Sequence, residues 1–443
     1  MKVAALNACP FSAGTVQDAP SIKITTAAEA LFILRDRTMA TLRPESGHGG
    51  QFYSRVVSNS VVDMWGEPHL ERRRLYAAIF GSQKLIEIEQ HAIAPGVLEP
   101  LERLRELSRE QGGPPRADLL LLVRRAAIRM SARVIGLEGL DDDDEIDRFD
   151  VEFRLLERGG RSKFVDNPGP VVEEALLARE RLIAKYAEPV WQAREPLVER
   201  VRAGLAPQSE LPPDLITVMM LNPEHFDSHV NSRPGELALL MIAAIGSSAN
   251  GVCGAAYDLL RWVEKHPEDR AQLLDPAFLH RAQQESTRIH QTADLFRTAM
   301  ADVTLPNGVT VPKGTVAVID RMTANKAMAD AGESELAGDE FDPYRTLGSK
   351  FPQQGLAFGH GPHMCIGRGL VMGDGFQKES GPRHGFMTNM LRVLFAAGAE
   401  FVPGERPTFY ADMSRRETFK TFPIQFSGIA DFEKRLAEPD KPA

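Results

Sequence analysis

The sequence predicts a mainly α-helical fold with a small β-containing lobe. Several long segments carry apolar residues at three-to-four spacing, which is the pattern of helices with one buried face. These segments are residues 84–110, 116–137, 171–204 and 236–265. Residues 303–320 instead hold short β-branched runs around Asn307 and Gly308, a pair typical of a hairpin or tight turn. The chain shows no internal repeat and no obvious linker, which favours one large domain over residues 1–443.

The remaining elements follow from proline, glycine and charge. Proline and glycine clusters separate the helical segments, so we expect the helices to end there. Residues 327–357 are acidic at first and then interrupted by Pro and Gly without a clear period, which predicts an irregular loop. We expect the smaller lobe to take its strands from about residues 1–60 and from residues 303–320.

Composition places the chain among ordinary globular proteins and limits its partners. Of its 443 residues, 43% are hydrophobic and 26% are charged, which is close to the average for soluble domains. The formal net charge is -9. Neutralising phosphates needs a dominant basic face, so this charge argues against nucleic acid as the main partner.

Cysteine content and hydropathy indicate a cytoplasmic protein. Cys9, Cys253 and Cys365 are scattered along the chain and cannot form a disulfide framework, which fits a reducing compartment. The N-terminus lacks the uninterrupted apolar run of a signal peptide. No stretch offers the roughly 18 consecutive apolar residues of a spanning helix, so we expect no membrane partner.

The chemistry is concentrated in residues 358–367, which read FGHGPHMCIG. Gly359 and Gly361 allow the backbone to turn tightly and approach a flat partner, while Gly367 leaves the far side of the sulfur uncrowded. A helix beginning near Cys365 would direct backbone N–H groups at the sulfur and lower the pKa of the thiol. A lone cysteine is usually a packing residue, so the spacing of its neighbours decides the interpretation.

This stretch resembles the haem-binding loop of the cytochrome P450 family, whose pattern is Phe-x-x-Gly-x-His-x-Cys-x-Gly. The five fixed positions are filled by Phe358, Gly361, His363, Cys365 and Gly367. From typical residue frequencies, a chance match in this chain is expected on the order of 10⁻⁵ times. The resemblance implies a cytochrome P450-like fold over nearly the whole chain, haem b as the cofactor, and the Cys365 thiolate as the axial ligand of the iron.

A second resemblance concerns an ion pair inside the fold. Glu285 and Arg288 match the family's Glu-x-x-Arg, whose charges face the same side of a helix. Residues 341–345 resemble the family segment that supplies a further arginine, and Arg345 is the candidate. The resemblance implies a structural role for the three residues, which would hold the core on the haem side.

Haem carries two propionates, and burying them requires cationic hydrogen-bond donors. His69 and Arg73 resemble the family's His-x-x-x-Arg and lie one helical turn apart. Arg297 and His363 occupy further positions that the family uses for the propionates. The resemblance therefore implies four propionate contacts.

The helix expected from Glu236 to His266 should cross the haem on its distal side. The family usually carries Ala/Gly-Gly-x-Asp/Glu-Thr there, and this acid and alcohol relay protons during oxygen activation. Counting back from His266 places Asn250 at the acid and Gly251 at the threonine, so the usual pair is missing. Asn250 can hold a water through hydrogen bonds, but its side chain does not ionise.

An alternative register moves the distal site one turn earlier, to Gly246, Ser247 and Ser248, and restores a hydroxyl. We favour the first register because the second requires a four-residue insertion. Residues 243–251 are rich in small side chains in either case, which leaves space for a substrate and for O2. Cys253 and Cys9 are expected to be packing or surface thiols.

The surface where an electron donor would dock also departs from the family. The helix after the ligand loop is usually continuous, and here it is interrupted by Gly373, Gly375 and Pro382. Arg72 and Arg74 are expected on a solvated basic face. Arg368, Lys378 and Arg72 form a candidate basic patch for an acidic ferredoxin.

The resemblance implies an oxidoreductase, a haem-thiolate monooxygenase that inserts oxygen from O2 into an apolar small molecule of specialised metabolism. Electrons would come from NAD(P)H through ferredoxin reductase and ferredoxin. An apolar substrate fits the candidate pocket contributors Met64, residues 243–251, residues 295–300 and Met413. The missing threonine keeps open a haem-thiolate catalyst that uses peroxide, isomerises its substrate or couples it oxidatively, and a non-catalytic haem sensor is a further alternative.

Overall fold

The computed structural model of the chain describes most of its length. The described residues are 20–41, 55–57, 60–111, 114–162, 167–227, 232–290, 295–332, 334–348, 351–374, 383–410 and 419–437. Several residues named above lie outside these ranges, namely Cys9, Gly375, Lys378, Pro382 and Met413.

Helices dominate the described chain, as the apolar spacing predicts. In chain order they are α1 (Ala27–Arg35), α2 (Glu67–Phe80), α3 (Ser82–Ile88), α4 (Ala94–Gln111), α5 (Leu119–Ile135), α6 (Asp143–Gly160), α7 (Pro168–Tyr186), α8 (Glu188–Arg202), α9 (Leu215–Leu221), α10 (Pro223–Phe226), α11 (Ser232–Met241), α12 (Ser247–Lys265), α13 (Pro276–Ile289), α14 (Arg321–Asp330), α15 (Arg368–Met372), α16 (Gly385–Ala396) and α17 (Phe432–Ala437). Two π-helical turns, Glu89–Ile93 and Ile242–Gly246, join α3 to α4 and α11 to α12.

Local chemistry explains where these helices begin and end. The Asp118 side chain accepts hydrogen bonds from two backbone N–H groups at the start of α5, and Gly136 ends that helix with φ 96°. The predicted segment 171–204 is two helices because Pro189, in the first turn of α8, cannot donate a backbone hydrogen bond to α7. The predicted loop 327–357 begins four residues later than expected, since α14 extends to Asp330.

Within the described residues, the strands form four small sheets. In chain order they are β1 (Ser21–Ile24), β2 (Met39–Ala40), β3 (Arg116–Asp118), β4 (Leu295–Ala299), β5 (Val303–Thr304), β6 (Thr310–Val311), β7 (Val316–Ile319), β8 (Ala399–Phe401), β9 (Thr408–Phe409), β10 (Phe419–Thr421) and β11 (Pro423–Phe426). The largest sheet has the order β1-β7-β4-β2, with β1 parallel to β7. The predicted hairpin is confirmed, because β5 pairs antiparallel with β6 and Gly308 has φ 83° in the connecting turn.

Two apolar clusters hold these elements. The larger is built from helices other than α1 and α14, together with β8, β10 and β11. The smaller lies in the lobe around the four-stranded sheet and includes Ile33 of α1 and Ile319 of β7. One continuous helix, Arg233–Lys265, is long and apolar enough to cross a membrane, but 67% of its most apolar window is buried inside the fold. It is the central core helix of the larger cluster.

Candidate active site

Residues 358–367 form a closed loop that presents Cys365. The Cys365 N–H donates to the Phe358 carbonyl over 2.9 Å, which ties the two ends of the loop together. Gly359 and Gly361 have φ 66° and 69°, a backbone conformation that favours glycine. A Cβ at Gly361 would also overlap the Leu34 carbonyl of α1. The loop is therefore seated on the smaller lobe at a point where only glycine fits.

The Cys365 sulfur receives two backbone hydrogen bonds and one nearby positive charge. The N–H groups of Gly367 and Arg368 donate to the sulfur, and Arg73 acts on it through space. Burial has the larger effect and raises the pKa of the thiol, although Cys365 keeps accessible surface. Protein atoms surround most of the sulfur, so a thiolate at this position is less well solvated than a thiolate in bulk water. The N–H donors suit a thiolate whose charge is neutralised by a bound metal ion.

Four basic side chains gather next to this loop. The rings of His69 and His363 stack with centroids 3.8 Å apart. Arg73 Nη1 donates to the Met364 carbonyl over 2.9 Å, so α2 is tied to the ligand loop. Burial lowers the pKa of His69 to about 4, that of His363 to about 3 and that of Arg297 to about 10. The positive charges of Arg73 and Arg297 lower both histidine pKa values further.

The donor set fits a ligand that carries carboxylates and a metal ion. Within the described ranges, neither Arg73 nor Arg297 pairs with an acidic side chain, and no carboxylate contributes to the pKa of either histidine. Buried cations are normally paired. Two propionates would supply the missing anions, and Cys365 would supply the metal ligand, so the residues present fit haem.

Glu285, Arg288 and Arg345 form a buried ion-pair network. Arg288 Nε lies 2.7 Å from Glu285 Oε2, and Arg345 Nε lies 3.0 Å from Glu285 Oε1. Arg345 also donates to three backbone carbonyls of the loop after α14, and Arg288 donates to the Gly338 carbonyl over 2.6 Å. The three residues thus fasten this loop to α13.

The distal helix carries a π-turn at Ile242–Gly246, immediately before Ser247. Such a turn shifts the backbone hydrogen-bonding pattern and leaves carbonyls without a backbone partner, which side chains can then bind. Ser247 Oγ donates to the Ala243 carbonyl, and Asn250 Nδ2 donates to the Gly246 carbonyl over 3.0 Å. π-Turns inside helices are frequent at functional sites.

Ser247 and Gly251 lie on one face of α12, a single turn apart. A Cβ on Gly251 would lie 3.3 Å from the side chain of Met387. Met387 belongs to α16, which follows the ligand loop and α15 in the chain. A side chain at position 251 would therefore contact Met387, while Gly251 and Ser247 are both partly accessible. Ser248 is 1% exposed and its hydroxyl has no hydrogen-bond partner among the described residues.

The structure corrects the expectation for Arg72. This side chain does not lie on a solvated face: Arg72 is 3% exposed and its Nη1 is 2.8 Å from Glu236 Oε2. Arg72 therefore cannot contribute to a basic docking patch. Arg74 is solvent-exposed as predicted and pairs with Glu67. No local sequence pattern reveals the pair of Arg72 and Glu236, because the two residues lie 164 positions apart in the chain.

Sequence reasoning also missed Glu157. Its carboxylate lies beside Gly246 and is bound by Arg124 and Arg161. The i, i+4 spacing of Glu157 and Arg161 is visible in the sequence, but such pairs are usually surface bridges. Cys253 is fully buried and burial raises the pKa of its thiol, as expected for a packing residue.

Comparison with known proteins agrees with this geometry. No family model matches the chain. The chain is 25% identical over 322 residues to the mycinamicin IV hydroxylase/epoxidase of Micromonospora griseorubida, which covers 71% of this chain and 69% of that protein. It is 35% identical over 135 residues to the mycinamicin VIII C21 methyl hydroxylase of the same organism, covering 30% and 31% of the two chains.

Solved structures show the same fold. The structure of P450BioI in complex with an acyl carrier protein superposes with a TM-score of 0.65 at 17% identity, over 92% of this chain and 93% of that chain. CYP154A1 from Streptomyces coelicolor A3(2) gives a TM-score of 0.65 at 16% identity, over 94% and 95%. The chain therefore has the cytochrome P450 fold, and its sequence is similar to those of the two hydroxylases named above.

Proposed function

We propose that this protein is a haem b monooxygenase that inserts one atom of O2 into an apolar small molecule of specialised metabolism. The observation that carries the proposal is a Cys365 sulfur held by backbone N–H groups beside cations, Arg73 and Arg297, that have no acidic partner among the described residues. Relatives named as hydroxylases support an oxidoreductase. We further propose a single domain over residues 1–443 that works in the cytoplasm.

Each residue of the site has a defined task in this proposal. Bound haem would supply O2 activation, with one oxygen atom entering a C–H bond and the other leaving as water. The backbone N–H groups of Gly367 and Arg368 temper the charge of the Cys365 sulfur. The basic cluster around Arg73 and Arg297 binds and orients the propionates.

Side chains on the distal side of the haem site would have the task of transferring protons. We assign this task to Ser247 rather than to Gly251, because a side chain at position 251 would contact Met387 while Ser247 follows the π-turn and keeps a hydroxyl. This choice corresponds to the alternative register, in which Ser247 stands at the alcohol position. Asn250 holds the Gly246 carbonyl and thereby maintains the turn.

The electron donors proposed are ferredoxin and its NAD(P)H-dependent reductase. Of the suggested basic patch, Arg368 is partly accessible, and Arg72 is excluded by burial. We expect Arg368→Glu to slow reduction by ferredoxin and to weaken its dependence on salt concentration. An unchanged rate and salt dependence would remove Arg368 from the docking surface.

A second candidate function is a haem-thiolate catalyst that does not hydroxylate. The observation that favours it is the absence of an acid at Gly246 or Asn250 of the distal helix. Product formation with NADPH and redox partners, compared with product formation with peroxide alone, separates the two functions. A haem sensor would show neither turnover nor a substrate-induced spin shift.

The thiolate ligand is tested by reducing the purified haem protein under carbon monoxide. We expect the far-red-shifted Soret band that thiolate ligation gives, and its loss in Cys365→Ser. Cys253→Ser is the matched control, because this buried thiol lies outside the loop and should leave the band unchanged. A wild-type protein without the band, or a band that survives Cys365→Ser, contradicts the proposed function.

A further inference from the structure

The helix that follows the ligand loop is interrupted at Gly373. Helix α15 ends at Met372, and α16 begins at Gly385. The facing ends of α15 and α16 touch, because a Cβ on Gly373 would overlap the Arg383 carbonyl and a Cβ on Gly385 would overlap the Gly373 nitrogen. Both glycines have φ 68°, a conformation that favours glycine. The chain therefore leaves the helix and returns to it at one closely packed point.

The interruption leaves α15 dependent on contacts from other elements. Asp374 N–H donates to the Arg383 carbonyl over 3.1 Å, and the two side chains form an ion pair that closes the point of departure. Helix ends carry backbone carbonyls and N–H groups that have no partner within the helix. Helix α15 has only five residues, and a helix of this length is not stable by itself.

Gln283 of α13 binds the end of α15. Its Nε2 donates to the Met372 carbonyl over 3.2 Å, and the side chain is fully buried. The same nitrogen lies 3.0 Å from His280 Nδ1. Burial lowers the pKa of His280 to about 4, so the neutral ring can accept the second hydrogen of the amide. Gln283 thus supplies the donor that the next turn of a continuous helix would have supplied.

Glu89 binds the beginning of α16. Its carboxylate accepts from the backbone N–H groups of His384, over 3.0 Å, and Gly385, over 3.4 Å. Asn389 Nδ2 donates to the same carboxylate over 2.9 Å. A negative charge at this place also complements the positive end of the helix dipole. Glu89 therefore caps α16 from a different part of the chain.

Helix α3 and the π-turn that continues it lie along both parts of the interrupted helix. Leu85 and Glu89 are four residues apart, so they share one helix face. A Cβ on Gly369 of α15 would lie 2.8 Å from the Leu85 side chain, while Glu89 binds the first turn of α16. The π-turn begins at Glu89, and such turns are frequent at functional sites. One face of α3 thus holds α15 and α16 in a fixed relation.

The other end of α15 supports the ligand sulfur. The N–H groups of Gly367 and Arg368, where α15 begins, donate to the Cys365 sulfur. The helix is only about 7.5 Å long, and Val371 N–H donates to the Gly367 carbonyl over 3.0 Å. A tilt of the capped end is therefore transmitted directly to the N–H groups at the sulfur.

We propose that Gln283 and Glu89 are positioning residues for the haem ligand. By capping the facing ends of α15 and α16, they keep α15 in the direction in which its first N–H groups donate to the Cys365 sulfur. The inference rests on the proposed function. These donors withdraw charge from the sulfur and thereby favour the reduced iron, which carries one more electron. Loss of either cap therefore lowers the reduction potential.

The first variants concern Gln283. Gln283→Met keeps the approximate length of the side chain and removes its donor. Gln425→Met is the matched control, because Gln425 Nε2 donates to Glu400 over 2.8 Å in a different part of the fold, the β3-β11-β8 sheet. Both substitutions remove one amide hydrogen bond between two elements, but only the first lies at the interruption.

The second variants concern Glu89. Glu89→Ala removes the cap of α16, whereas Glu89→Gln keeps a side-chain oxygen that can accept the same hydrogen bonds. Glu87→Ala is the matched control, because Glu87 lies two residues earlier and pairs with Lys84 at the surface. If Gln283→Met does not fold, the comparison of Glu89→Ala with Glu89→Gln decides the test.

The first readout is the reduction potential of the haem protein, titrated with dye mediators in the absence of substrate and of any donor protein. We expect Gln283→Met and Glu89→Ala each to lower the equilibrium constant for one-electron reduction roughly tenfold, the effect of losing a hydrogen bond to a charged group. Glu89→Gln should restore most of the wild-type value. Gln425→Met and Glu87→Ala should match wild type.

The second readout is amide hydrogen exchange of the haem protein, followed by mass spectrometry. Peptides that cover residues 366–373 should exchange roughly tenfold faster in Gln283→Met, and peptides that cover residues 384–390 should do so in Glu89→Ala. Peptides from α5 should exchange as in wild type, because the caps act locally.

An unchanged reduction potential in both cap variants overturns the inference, and so does a shift of the same size in the controls. A lower melting temperature without a change in potential would mean that the caps serve stability alone, which also overturns it. The carbon monoxide band of wild type checks the proposed function separately, because that band depends on Cys365 and not on the caps.

Discussion

Replacing Arg72 by methionine tests the electrostatics of the buried pair that it forms with Glu236. The two side chains are 4% and 0% exposed and meet at 2.8 Å. Methionine keeps an apolar stem but leaves the carboxylate buried without its cation. Breaking a buried pair in this way costs about 3–5 kcal/mol. Glu236 retains the hydrogen bond from the Val61 N–H, so we expect a loss near the lower limit.

The free energy of unfolding in urea, followed by tryptophan fluorescence near pH 7, measures this loss. Arg74→Met is the matched control, since Arg74 and its partner Glu67 are 66% and 61% exposed. Exposed pairs contribute about 0–1 kcal/mol. The two variants should therefore differ clearly in their urea midpoints. Equal midpoints would refute the reasoning from burial.

The same variant has a defined pH dependence. Burial raises the pKa of Glu236, and the charge of Arg72 opposes this rise. Without Arg72 the folded-state pKa rises further, so the folded protein holds a proton that the unfolded chain has released above about pH 4.3. The free energy of unfolding then falls as pH rises between the two pKa values. The deficit of Arg72→Met should shrink as pH is lowered from neutrality, and a constant deficit would contradict this assignment.

Three further substitutions test the haem site. Gly361→Ala places a Cβ against a backbone carbonyl at φ 69° and should release haem, which haem content measures. Gly308→Ala is the control, because Gly308 has φ 83° but no neighbour within 4 Å of its Cβ. It should cost only about 1 kcal/mol of unfolding free energy in urea. Arg297→Met should speed haem transfer to an acceptor protein. It should also raise the pKa of His363, measured by NMR, because the charge of Arg297 lowers that pKa. An unchanged transfer rate and an unchanged His363 pKa would argue against a propionate role for Arg297. Gly251→Thr should leave the ratio of hydrogen peroxide to O2 consumed unchanged, because a side chain at this position would contact Met387 of α16; a lower ratio would restore the register that places Gly251 at the threonine.

Features fixed by local spacing could be predicted from the sequence. The ligand loop is encoded within ten residues, and Glu285 and Arg288 lie three positions apart. The helices follow from their apolar period, and the hairpin follows from Asn307-Gly308. In these cases the chemistry depends on neighbours in the chain, so the sequence pattern contains the necessary information.

Features that depend on distant segments could not be predicted in this way. The sequence predicts Arg72, like Arg74, on the surface, because the partner of Arg72, Glu236, is supplied by the distant distal helix. The contact of Glu157 with Gly246 depends on the packing of α6 against the distal helix. The sequence predicts a pocket segment at residues 295–300 and not strand β4, since five residues are too few to give a clear alternation. Tertiary packing determines the contacts and the roles of such residues.

The parallel pairing of β1 with β7 has a consequence for the order of folding. Strand β1 begins at Ser21, and its partner begins only at Val316, so this contact closes a very long loop of chain. During synthesis the helical core can form first, while β1 must wait for its partner to emerge. The ligand loop is seated against α1, which follows β1 in the same lobe. Cofactor capture should consequently be among the last events in maturation.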